Sequence, residues 1–157
     1  MAIFMAGVTA CPLCGLSVDR IEDAVNFPPL FVNQHHGVFE VTDSVVHRSC
    51  LAERPYKRLA LEKLASYEQR SDQPKMCKIC GQRISDPDDY FGTGPLADEP
   101  SEDIARLDWF EAHIRCLRTW EGRSQLGRDL LQASRSEDWE GDVLQSLASR
   151  LEEIVRS

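Results

Sequence analysis

Cys11, Cys14, His47 and Cys50 recur, 66 residues further on, as Cys77, Cys80, His113 and Cys116. In each set a Cys-x2-Cys pair is followed, after 32 intervening residues, by His-x2-Cys. Three thiolates and an imidazole complete a tetrahedral shell for Zn²⁺, and a shell closed by four protein ligands leaves no open position for a substrate, which marks a structural site. The two sets use all six cysteines of the chain. Disulfides or buried free thiols would not explain a histidine at the same offset both times. The reading is two structural zinc ions, one per set, with ligand pairs exchanged between the sets in a cross-braced arrangement as the alternative.

The elements that must position these ligands follow from the spacing. A Cys-x2-Cys pair needs a tight knuckle that turns both sulfurs toward one ion, and Gly15 and Gly81, directly after each pair, supply the permissive backbone. His-x2-Cys suits the first turn of a helix, where residues three apart share a face. A shift of 66 residues aligns more than the ligands: Val18 meets Ile84, Asp23 meets Asp89, Pro29-Leu30 meets Pro95-Leu96, Leu51 meets Leu117, and Leu64 meets Leu130. This is the signature of a tandem duplication of one unit. The expected organisation is a zinc module over 8–73, a second over 74–134, and a C-terminal helix over 135–157.

Within the first module, Leu30 to Val32 and Val38 to Val46 are rich in β-branched and aromatic residues and flank a polar turn at Asn33 to Gly37, which predicts a hairpin. A helix should begin near His47 and be interrupted at Pro55, with a kink or a fresh helix start there, after which Tyr56, Leu59, Ala60, Lys63, Leu64 and Tyr67 recur at helical spacing. The second module differs in its middle. Arg83 to Glu111 holds nine acidic residues and only two basic ones, and its prolines and glycines predict an acidic loop leading into Leu107, Trp109 and Phe110. Helices are then expected to about Trp120 and from Ser124 to Ala133. Val143, Leu144, Leu147, Leu151, Ile154 and Val155 form one stripe of an amphipathic helix, expected to pack onto the repeat and complete its core, with a partner-binding or dimerising helix as the alternative.

At 157 residues the chain has room for two small units, each with a limited core, so bound metal would supply much of the folding energy. No apolar run is long enough to span a bilayer. The opening MAIFMAGV lacks a basic n-region and a secretory core, and thiolate metal sites favour a reducing compartment, so a soluble cytoplasmic protein is expected. The formal charge is −8, and six ionised thiolates with two Zn²⁺ would take it to about −10. Such a chain repels phosphate backbones unless one face is locally basic.

A CPLCG-type knuckle, a hairpin, and a helix opening with His-x2-Cys resemble the treble-clef zinc finger, and VVHRSCL is similar to the first zinc site of a LIM domain. The resemblance spans roughly residues 8 to 70 and 74 to 134. It implies an α+β fold of two tandem treble-clef-like modules, zinc held by the eight residues named, and an adaptor role. The gap between ligand pairs is longer than in a LIM site, and the second cysteine-rich site that closes a LIM domain is missing.

Four function classes come into question. The first is a protein-binding module: the acidic segment, with Trp109, Trp120 and Trp139 as exposed aromatics, would suit a basic protein surface, as in an inhibitor or immunity-type protein that occludes a basic site. The second is a nucleic-acid-binding or transcription-associated finger, which would need Arg48, Arg54, Lys57, Arg58 and Lys63 to form one basic face. The third is a treble-clef nuclease of the HNH type, with His35 or His36 beside Asn33 as general base. Against it, Ser101 and Glu102 stand at the corresponding positions of the second module, and a polar turn with two solvated histidines is the simpler account. A zinc redox switch would need a resolving cysteine, and none is spare. The sequence therefore points to a non-enzymatic protein binder with two structural zinc ions.

Overall fold

The computed structural model describes residues 3–96 and 104–156. It is α+β, with two separate two-stranded antiparallel sheets and five α-helices among the described residues. The chain divides into two compact units, Met1–Val32 with His36–Asp72, and Asn33–His35 with Gln73–Ser157.

The first unit opens with the Cys11–Cys14 turn, closed by the bridge between Ala10 and Ser17. Strand β1 (Ala24–Phe27) then pairs with β2 (Ser44–His47), Ala24 opposite His47 and Val25 opposite Val46. Helices α1 (Arg48–Ala52) and α2 (Lys57–Ser71) follow, separated at Pro55, whose ring cannot continue a helix. Knuckle, hairpin and helix thus follow in the expected order, but the hairpin is drawn from different residues. Leu30 to Val32 is not a strand, and of Val38 to Val46 only the end joins the sheet. The intervening 28–43 stretch turns tightly instead: the Leu30 and Asp43 amides both donate to the Pro28 carbonyl, and Phe39–Val41 forms a 3-10 turn. Leu30, Phe31, Val38 and Val41 are buried as core side chains projecting from this irregular path. Their apolar character reflects burial, not pairing.

The second unit repeats the plan in the same register. A bridge joins Met76 to Arg83, and β3 (Tyr90–Gly92) pairs with β4 (Glu111–His113), Tyr90 opposite His113 and Phe91 opposite Ala112. The buried cross-strand pair Val25–Val46 becomes Phe91–Ala112, two medium side chains traded for one large and one small. Such a swap conserves core volume. Helix α3 (Ile114–Thr119) carries Cys116, and α4 (Arg123–Ala133) buries Leu126 and Leu130. Helix α5 (Val143–Arg156) buries Leu144, Ala148, Leu151 and Ile154 against α3 and α4, and so belongs to the second unit. Full burial of Leu144 alone contributes about 1.5 to 3 kcal/mol.

The acidic stretch is only partly a loop. It supplies β3, preceded by a 3-10 turn at Pro87–Asp89 and followed by another at Ala105–Leu107. Four of its carboxylates are engaged in the fold. Asp86 accepts from the Asp88 amide, Asp89 from the Arg115 amide, Asp108 from the Leu96 amide, and buried Glu111 from Met76 and Tyr90 with Lys75 at 3.8 Å. Asp98, Glu99, Glu102 and Asp103 lie outside the described residues. The aromatics are also less open than expected. Trp139 is only 9% exposed, and half-buried Trp120 stacks on Phe110 at 5.8 Å between ring centroids. No helix among the described residues is long and apolar enough to cross a membrane.

Candidate metal centres

Each Cys-x2-Cys pair sits on a turn that the backbone closes by itself. The Gly15 amide donates to the Cys11 carbonyl at 2.8 Å, and Cys11 donates to Leu16 at 2.9 Å. Gly81 and Cys77 repeat both bonds, the second to Gln82. Gly15 and Gly81 have φ of 73° and 72°, the left-handed region where a Cβ would be strained, which is why glycine ends each knuckle. The other two ligands come from the strand-to-helix junction. His47 is the last residue of β2 and Cys50 lies in α1, and His113 and Cys116 do the same for β4 and α3.

These elements bring together Cys11, Cys14, His47 and Cys50 in one cluster, and Cys77, Cys80, His113 and Cys116 in the other, with all ligand atoms of a cluster within 4.8 Å of one another. The grouping is sequential within each unit, with no exchange of ligand pairs, and all six cysteines are free thiols. Tetrahedral coordination with Zn–S near 2.3 Å and Zn–N near 2.1 Å requires S···N edges of about 3.6 Å. His47 Nδ1 lies 3.4 Å from Cys14 Sγ and 3.8 Å from Cys50 Sγ. His113 Nδ1 lies 3.5 and 3.8 Å from Cys80 and Cys116. These S···N edges therefore match those around a single tetrahedral ion.

The tautomer agrees. His47 Nε2 is 3.2 Å from the Ser17 carbonyl oxygen, which can only accept, so the ring proton sits on Nε2 and the Nδ1 lone pair faces the thiols. No residue pattern signals this contact, because any residue offers a carbonyl. His113 is more deeply enclosed than His47, at 2% exposure.

The thiols are electrostatically unequal. Burial pushes Cys11 up, but amides of His47, Leu13 and Cys14 point at its sulfur and bring it down to about 7. Burial likewise opposes ionisation of Cys77, and the amides of Cys80, His113 and Ile79 overcome it, to about 6. The His113 amide donates to Cys77 Sγ at 3.4 Å. Cys50 is raised to about 11 by burial and then by the neighbouring sulfurs of Cys14 and Cys11. Cys116 is raised to about 11 by burial and by Cys80 and Cys77. Several sulfurs crowded together without a cation resist full ionisation, whereas a divalent ion removes the repulsion. The amide-rich knuckle and the crowded sulfurs both suit a cation at the centre.

The other candidate residues are placed elsewhere. His35 and His36 lie in the connection from β1 to β2, outside the strands. His36 stacks on Phe31 at 4.6 Å and accepts from the Val38 amide. Asn33 and His35 group with the second unit, where Asn33 donates to the Asp138 carbonyl and His35 stands 3.7 Å from Glu140. Of the five residues that a basic face would need, Arg48 donates to the Glu22 carbonyl, Arg54 to the Leu13 carbonyl, and Arg58 pairs with Glu62 at 2.8 Å.

Fold and site together define two tandem modules, each with a Cys₃His cluster suited to holding a metal ion. No family model, curated protein or solved structure matches the chain.

Proposed function

We propose that both clusters hold Zn²⁺ as structural ions in treble-clef-like modules, and that the protein acts non-enzymatically by binding a basic surface of another protein. The observation that carries the first part is the closed four-ligand shell: three thiolates and an Nδ1 at tetrahedral spacing fit zinc and leave no position for a substrate. When bound, zinc supplies the cross-link between knuckle and helix that a small core does not provide.

The second part is supported by charge. The chain carries −8 formally, and nine of its carboxylates fall between Asp86 and Glu111. An acidic segment of this kind would raise the association rate with a basic partner and lose its effect as salt rises. An inhibitor or immunity-type role, covering a basic site on the partner, is the specific form of this reading.

The test is charge reversal at Asp98, Glu99, Glu102 and Asp103 to lysine, with zinc content checked. In-cell crosslinking should capture a basic protein with the natural sequence and lose it with the variant. Capture of nucleic acid in place of protein, or a partner whose affinity and salt dependence ignore the reversal, would overturn the reading.

A further inference from the structure

Helices α4 and α5 enclose a groove of about 440 Å³ on the second unit. Its floor is apolar, formed by Gly127, Leu131, Ala148, Leu151 and Val155. Leu131 is 38% and Val155 39% exposed, although both helices bury their other large apolar stripes. Three guanidiniums, from Arg123, Arg128 and Arg156, border the floor against one carboxylate, Glu152. The border is thus cationic on a chain whose formal charge is −8. Each guanidinium is already oriented: Arg123 donates to the Trp120 carbonyl at 2.7 Å, Arg128 to Gln125 at 2.8 Å, and Arg156 to Glu152 at 3.2 Å.

The duplication provides an internal control. The α2 positions matching Arg123, Ser124, Gly127, Arg128 and Leu131 are Lys57, Arg58, Leu61, Glu62 and Ala65. A leucine fills the place of Gly127, and an acid replaces Arg128. The module's helix therefore accepts both changes, and its fold demands neither the open floor nor this arginine. Glycine inside a helix costs about 1 kcal/mol relative to alanine. A Cβ at Gly127 would meet only Leu151 Cδ2, at an ordinary 3.7 Å, so packing between the helices does not require glycine either.

We propose that the α4–α5 groove binds an acidic amphipathic helix of a protein partner, whose apolar side chains cover Leu131 and Val155 and whose carboxylates reach Arg123, Arg128 and Arg156. Helix-in-groove recognition uses such anchors on one stripe, and planar guanidiniums take carboxylates in bidentate pairs. A nucleic acid would place phosphates beside Glu152 and leave the exposed apolar floor uncovered. The residues lining this surface are other than those of the acidic segment, and they select a partner of the opposite charge.

The test uses the full chain and a fluorescein-labelled peptide of about four helical turns, with leucine at every third or fourth position and glutamate on the flanks. A scrambled peptide of the same composition and a DNA duplex form the other arms. The ordered peptide should bind saturably and weaken with salt. Arg128→Glu and Gly127→Leu should each lower affinity roughly tenfold or more, while Gly127→Ala retains it. Both disruptive changes install the residue that α2 carries, and circular dichroism with metal content verifies that the variants fold. The proposal is overturned if the ordered peptide does not saturate, if the scrambled peptide binds equally, if duplex DNA displaces the peptide, or if affinity is indifferent to both substitutions.

Discussion

The Nε2 of His47 lies 3.2 Å from the carbonyl oxygen of Ser17, so the backbone of the knuckle itself fixes which nitrogen of the ligand histidine is left for a metal. The contact links the end of β2 to the turn that carries Cys11 and Cys14. It predicts Nδ1 coordination. Long-range ¹⁵N correlation spectra of the zinc-loaded protein should show a protonated Nε2 and a metal-bound Nδ1 for His47. Coordination through Nε2 would contradict the geometry.

Zinc binding at neutral pH should release at least about one proton per site. The metal binds thiolates, and Cys50 and Cys116, raised to about 11, hold their protons at pH 7 when no cation is present. Because the bound state is the deprotonated one, apparent affinity rises with pH through the neutral range and falls on acidification. It falls further as pH drops through about 7 and about 6, where Cys11 and Cys77 also take up protons. Calorimetric titration in buffers of different ionisation enthalpy measures the proton count directly. Identical heats in all buffers would refute it.

Asp89 and Asp23 occupy matching positions yet should respond differently to removal. Asp89 is 14% exposed, accepts from the Arg115 amide in the first turn of α3, and pairs with the Arg115 guanidinium at 2.6 Å. Asp23 is 68% exposed and only 3.6 Å from Arg20. Asp89→Ala should destabilise the second unit by about 1 to 2 kcal/mol, the cost of a lost helix cap and its charge. Asp23→Ala should cost about 0.5 kcal/mol or less. Hydrogen exchange resolved by unit distinguishes the two, and equal effects would show that the duplication keeps both contacts alike.

The ligand clusters were legible because metal chemistry restricts both residue type and spacing, and the duplication stated them twice. The 66-residue shift also carried over to strand register, Ala24 with His47 and Tyr90 with His113. Helix boundaries at Pro55 and Trp120 followed from local chemistry. The strands did not. Four- and three-residue strands carry too little periodicity to stand out, and the apolar residues at 30–32 and 38–41 signal burial from an irregular path as strongly as they signal pairing. Glu111 misled for a related reason: a carboxylate in an acidic run reads as solvated, but here it is 4% exposed beside Lys75 and Tyr90. The groove left no pattern in any one segment, since its arginines are drawn from two helices.

Native mass spectrometry of the full chain, before and after chelation, decides whether two zinc ions hold the fold together. The spectra should show a 17.8 kDa chain carrying two zinc ions and, once they are removed, a shift to the high charge states of an unfolded chain. Fewer than one zinc per chain, a different metal in both sites, or a compact charge distribution after complete removal would contradict this.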